Sequence, residues 1–123
     1  MKIAVVSLWV DDVQQAIDFY QNALQLELIT THGELPHFQL ENGLLVLLKG
    51  KPQPATHAFP ESFPLLALEV PDLDSLIDCL KEQGVRFPWG IEERKDSRWA
   101  MFHDPSGNLL EIVQHLTSPP EKQ

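Results

Sequence analysis

Cysteine, positive charge and long apolar runs are all scarce in this sequence. One cysteine, Cys79, stands among 123 residues. That excludes an intramolecular disulfide framework and fits a reducing compartment. Lys and Arg number 9 against 18 Asp and Glu, for a formal net charge of −9. Nucleic acid and anionic membrane surfaces both need clustered cations in their partner, so neither is expected here. Cationic ligands are favoured, although the same acidity also serves solubility. No apolar stretch approaches the ~18–20 residues that cross a bilayer. Met1-Lys2-Ile3 opens directly into a strand-like run with no cleavage-site pattern behind it, and the expected location is the cytoplasm. A nucleophile elbow, a phosphate-cradling glycine loop and a paired-cysteine zinc pattern are absent as well.

What is present is a chain 43% hydrophobic and 22% charged, the profile of one globular domain with room for a core. One motif is written twice. "LWVDDVQQAIDFY" (Leu8 to Tyr20) and "LEVPDLDSLIDCL" (Leu68 to Leu80) align at an offset of 60 residues, pairing Leu8 with Leu68, Val10 with Val70, Asp12 with Asp72 and Ile17 with Ile77. Two copies of one supersecondary unit follow from that. Each copy begins as a strand, Ile3–Val10 and Leu65–Val70. Asp12 and Asp72 then stand as helix N-caps, because a carboxylate there accepts from the free amides of the first turn. Apolar residues at helical spacing follow: Val13, Ala16, Ile17, Tyr20 and Leu24, then Leu73, Leu76, Ile77 and Leu80. Gly84 suits the end of the second helix.

Strand-like runs complete each copy. They are Leu26–Thr31, Pro36–Glu41 and Leu44–Lys49 in the first, with a tight turn at Asn42-Gly43. In the second they are Val85–Phe87, Arg98–His103 and Leu109–His115. The predicted class is therefore α+β, with two β-α-β-β-β modules, at about 1–49 and 64–116, in one domain. The four-proline segment Gly50–Pro64 reads as the linker, and the tail 117–123 as frayed. The run Glu92-Glu93-Arg94-Lys95-Asp96 reads as a solvated hairpin loop, with a mobile lid over a cavity as the alternative.

One carboxylate interrupts a buried-looking strand. In "FHDPSGNLLEIVQ" a turn-forming cluster, Asp104 to Asn108, leads into Leu109-Leu110-Glu111-Ile112-Val113. A carboxylate there is costly unless paired, so Glu111 faces a metal ion, a cationic ligand, a neighbour such as Arg98 or Ser7, or water.

Paired modules and the closing "DPSGNLLEIVQ" resemble the vicinal oxygen chelate superfamily, which includes glyoxalase I, bleomycin-resistance proteins and extradiol dioxygenases. The resemblance spans roughly residues 3–115. It implies a curved sheet with helices outside and a cavity inside, and a homodimer. In metal-dependent members, ligands stand on the first and last strands of each module. Carried over by position, they fall on Val5, Leu65, Leu47 or Leu48, and Glu111. Only Glu111 can coordinate a metal. This departure implies no metal and no cofactor, and sets the chain beside bleomycin-resistance proteins, which sequester cationic drugs without chemistry. A metal-dependent lyase or dioxygenase using Glu111 is the alternative. His103 and Glu111 as a metal-free acid–base pair is a lesser one.

Strand alternation then names the cavity face. Ser7 and Trp9 share a face with Val5, and Glu69 shares one with Leu65. Val113 lies with Glu111, and Trp99, Met101 and His103 are taken to point inward opposite Phe102. Those eight residues, Ser7, Trp9, Glu69, Trp99, Met101, His103, Glu111 and Val113, form the predicted ligand site. They suit a small molecule with a flat body and a positive group. No catalytic residue is singled out.

Overall fold

The computed structural model describes residues 4–30, 35–51 and 65–116. The linker beyond Lys51, the tail, His32 and His57 lie outside the described residues. The chain divides into two compact units. The first draws its described residues from within Met1–Ser62 together with Asp104–Asn108, and the second from Phe63–His103 and Leu109–Gln123.

In the first unit, β1 (Val5–Val10) leads into α1 (Val13–Asp18), followed by β2 (Glu27–Thr30), β3 (His37–Leu40) and β4 (Gly43–Lys49). The sheet order is β1-β4-β3-β2, with β1 parallel to β4 and the other pairs antiparallel. The even residues of β1 turn toward the helix and Val10 is fully buried, while Val5, Ser7 and Trp9 are exposed on the opposite face. Phe38, Leu45 and Leu47 complete the buried sheet face, and Ala16, Tyr20, Ala23 and Leu24 close over it. Asp12 caps α1 by accepting from the Gln15 amide at 3.0 Å, as its position before the apolar stripe predicts.

The first helix does not run on as α. At Phe19–Ala23 it widens into a π-helical turn in which the Leu24 amide bonds the Phe19 carbonyl, five residues back. This shift keeps both Tyr20 and Leu24 buried. The hairpin turn also moves from its expected place. Leu40 pairs with Gly43, so Glu41-Asn42 make the turn and Gly43 is already strand. A one-residue slip reverses every side chain, and the observed register is the one that puts Leu45 opposite buried Phe38.

The second unit repeats the plan. β5 (Leu66–Glu69), α2 (Leu73–Glu82), β6 (Ile91–Arg94), β7 (Ser97–His103) and β8 (Leu109–His115) give the order β5-β8-β7-β6. Leu73, Ile77 and Leu80 of α2 pack over Ala100, Phe102, Leu110 and Ile112, all at 3% exposure or less. Each such Leu, Ile or Phe contributes roughly 1.5–3 kcal/mol by leaving water. Asp72 caps the helix start through the Ser75 amide, and Gly84, at φ 87°, ends it. There the Gly84 amide bonds the Lys81 carbonyl and the Val85 amide the Leu80 carbonyl.

That cap explains why no strand forms at Val85–Phe87, where the sequence pattern predicts one. The Val85 amide is consumed by the helix end, and the Phe87 ring packs on Phe102 at 5.6 Å. The strand is Ile91–Arg94 instead. Three residues of the expected charged loop, Glu92, Glu93 and Arg94, are therefore strand, and only Lys95-Asp96 turn. Two mixed four-stranded sheets, each with its helix on one face, make the α+β arrangement expected from the repeat.

Candidate functional site

The second sheet's helix-free face can be built row by row from strand register. Glu69 lies beside Val113, Val113 beside Trp99, and Trp99 beside Glu92. The next row joins Ala67, Glu111 and Met101. Beyond it His103 stands opposite Leu109, and at the other end Ser97 joins His115 to Arg94. Period-two alternation puts all of these on one side. Six of the eight predicted site residues, Glu69, Trp99, Met101, His103, Glu111 and Val113, thus share one face of the second unit.

The polar groups there have defined partners. The Trp99 Nε1–H donates to Glu92 Oε2 at 2.8 Å, which fixes the indole in its plane. Glu69 lies 3.4 Å from His115 Nε2. The Trp89 and His103 rings approach to 6.1 Å. Arg94 places its guanidinium carbon 6.0 Å from the centre of the Trp99 ring.

Glu111 is different. Half-buried between Ala67 and Met101, it has its carboxyl pushed above the usual range, first by burial and then by the negative charge of Glu92. Arg98 does not relieve it, contrary to one reading of the sequence. Its guanidinium points to the helix side, bonding Asp74 at 3.0 and 3.1 Å and lying 3.7 Å from Glu93. A desolvated carboxylate without a cation favours any positive group brought to it.

Ser7 and Trp9 belong to the first unit, on its own helix-free face with Val46 and Leu48. The Trp9 indole lies against Gly50, where an added Cβ would meet ring carbon Cε3 at 2.7 Å. The Trp9 carbonyl accepts from Asn108 Nδ2 at 2.8 Å.

Register also corrects one metal-ligand position. Ala67 pairs with Glu111 and its repeat equivalent Ser7 pairs with Val46, so the counterpart of Glu111 is Val46 rather than Leu47 or Leu48. Leu47 is fully buried toward the helix. Val5, Leu65 and Val46 carry no donor atom, so these residues do not fit the divalent ion of the metal-dependent pattern. Among the described residues, no three His, Cys, Asp or Glu side chains stand close enough to hold a metal.

Sequence reasoning missed Glu92 and Arg94. The available signal was Lys95-Asp96 as a two-residue turn, which by alternation places Glu92 opposite Trp99. It also missed the partner of Asp104, which accepts from the Tyr20 hydroxyl at 2.7 Å.

The family model described as Glyoxalase/Bleomycin resistance protein/Dioxygenase superfamily matches residues 2–112. This chain belongs to that superfamily. Two uncharacterized Bacillus subtilis proteins, YraH and YurT, are 28% and 30% identical to it. They cover 94% and 93% of this chain and 100% and 99% of their own length. Among solved structures, TnmS3, an antibiotic-binding protein from Streptomyces sp. CB03234, is 27% identical. It matches with a TM-score of 0.72 over 94% of this chain and 96% of its own. Among the described residues no helix of this superfamily member is long and apolar enough to cross a membrane.

Proposed function

We propose that this chain binds a small organic cation with a flat aromatic body, without a metal and without chemical conversion. The observation that carries the reading is Glu111, a half-buried carboxylate raised by burial and by Glu92, on the same sheet face as Trp99. A ligand's positive group relieves that carboxylate while its ring stacks on the indole, and each cation–π contact adds ~0.5–2 kcal/mol. Glu69 supplies further negative potential from the same face, and Met101 and Val113 supply apolar contact. Ser7 and Trp9 are proposed as ligand contacts on the first unit's own helix-free face. Similarity to an antibiotic-binding protein supports sequestration as the purpose, hence antibiotic resistance as the setting. A cytoplasmic homodimer is part of the proposal, and sedimentation measures that assembly.

Titration with proflavine, a flat aromatic cation, tests the binding. Micromolar affinity is expected, weakened at least about three-fold in Trp99→Leu and in Glu111→Gln. Equal affinity in wild type and both variants refutes this site. A parallel titration with Ni²⁺, the bound metal counted by elemental analysis, tests the metal-free part. One tight ion per chain, lost in Glu111→Gln, would point to a metal-dependent lyase or dioxygenase instead.

A further inference from the structure

We propose that Arg94 is an in-built competitor for the Trp99 ring and so sets the charge preference of the site. The inference rests on the reading of Trp99 as the stacking platform. Arg94 ends β6 opposite Ser97, which places it diagonally across from Trp99 on the same face. Its guanidinium carbon lies 6.0 Å from the ring centre, the outer limit of a cation–π contact. Among the described residues no carboxylate stands within ion-pair distance of that guanidinium. Glu92 shares its face but takes the indole N–H, and Glu93 pairs with Arg98. Arg94 is exposed, so its hold on the ring is weak and releasable.

The platform thus already carries a cation. A flat cationic ligand must displace the guanidinium, because two positive charges on one ring repel each other. A flat anion has no such conflict: it stacks while Arg94 stays near and pairs with it. Arg94 therefore lowers affinity for cations and raises it for anions on one ring. Charge selection is set by the hairpin end rather than by the carboxylates alone.

Paired titrations with proflavine and the flat anion 8-anilinonaphthalene-1-sulfonate test this, using wild type, Arg94→Gln and Lys95→Gln. Lys95 is the neighbouring turn residue, and its substitution removes the same charge. Arg94→Gln is expected to tighten proflavine about three-fold, with ~30-fold as the ceiling of a fully desolvated contact, and to weaken the sulfonate. Lys95→Gln is expected to change both by less than half as much. Equal effects of the two substitutions would reduce Arg94 to a general charge and overturn the inference, as would weaker proflavine binding in Arg94→Gln. Proflavine binding lost in Trp99→Leu but indifferent to Arg94→Gln sinks this inference and leaves the proposed function standing. No proflavine binding by wild type or Arg94→Gln sinks both. In the ligand-free protein, the Arg94 δ-methylene protons should show an upfield ring-current shift that Trp99→Leu abolishes. Its absence would also overturn the contact.

Discussion

Removing one oxygen from Tyr20 should destabilise the protein measurably, and the structure says by how much. Asp104 is 4% exposed, and its carboxylate accepts from the Tyr20 hydroxyl, the Ser106 amide, the Asn108 amide and Asn108 Nδ2 at 2.7, 3.0, 2.8 and 2.9 Å. Tyr20→Phe keeps the ring, which lies 5.3 Å from Phe19 and 5.9 Å from Phe38, and deletes only the shortest of those bonds. A lost hydrogen bond to a buried charge costs ~1.5–3 kcal/mol. For a domain of this size that corresponds to a melting temperature lower by about 5–12 °C. The pH dependence adds an independent check. Burial, and then the Asp104 charge, push the Tyr20 hydroxyl well above its ordinary value of 10.0. A group raised in the folded state contributes fully below its unfolded value and loses that contribution as pH rises past it. Wild type should therefore lose stability above about pH 10 more steeply than the variant, and the gap between their melting curves should narrow. Circular dichroism melts at pH 7 and pH 11 measure both effects. A shift under 2 °C with no narrowing would refute the account of this latch.

Glu111→Gln should melt higher than wild type at pH 7 with the difference vanishing near pH 4. The raised carboxyl costs nothing while both states are protonated below 4.5 and costs progressively more as pH rises through its folded value; a constant difference across that range would contradict it. Gly50→Ala should leave the fold intact yet change Trp9 emission, since the new Cβ would sit 2.7 Å from the indole; an unchanged spectrum, with Trp89 and Trp99 replaced by Phe to isolate Trp9, would show the ring elsewhere. Gly84→Ala should lower the melting temperature by about 3–6 °C. Nothing lies within 4 Å of the added methyl, so the effect comes from left-handed backbone at φ 87°, which costs a side-chain-bearing residue ~1–2 kcal/mol.

Both helices, their aspartate caps and the glycine stop were legible because local bonds make them: a carboxylate three residues before a free amide, an apolar stripe at period 3.6. The last two strands were legible for a similar reason, Leu109–His115 to the residue. Errors gathered where local signals compete. At Val85–Phe87 the strand-like pattern lost to the helix cap, and at Asn42-Gly43 the commonest turn dipeptide lost to the register that buries Leu45 against Phe38. Glu69, Glu111, Val113, Trp99, Met101 and His103 share one face, as alternation predicts once one residue fixes the facing of each strand: Leu65 for the first, Phe102 for the second and Glu111 for the third. Glu92 and Arg94 escaped because their role depends on the exact turn joining β6 to β7.

Composition and periodicity alone determined the repeat, the α+β class, the two helices and the alternating faces, since each follows from a few consecutive residues and their bonds. Partnership was decided only by tertiary structure. Arg98 went to Asp74, Trp99 to Glu92, Tyr20 to Asp104, and Glu111 to no cation among the described residues. Charges and hydroxyls pair by distance in space, and 84 residues of chain separate Tyr20 from the carboxylate it holds. No local pattern encodes that approach; packing of the strands and helices around it does.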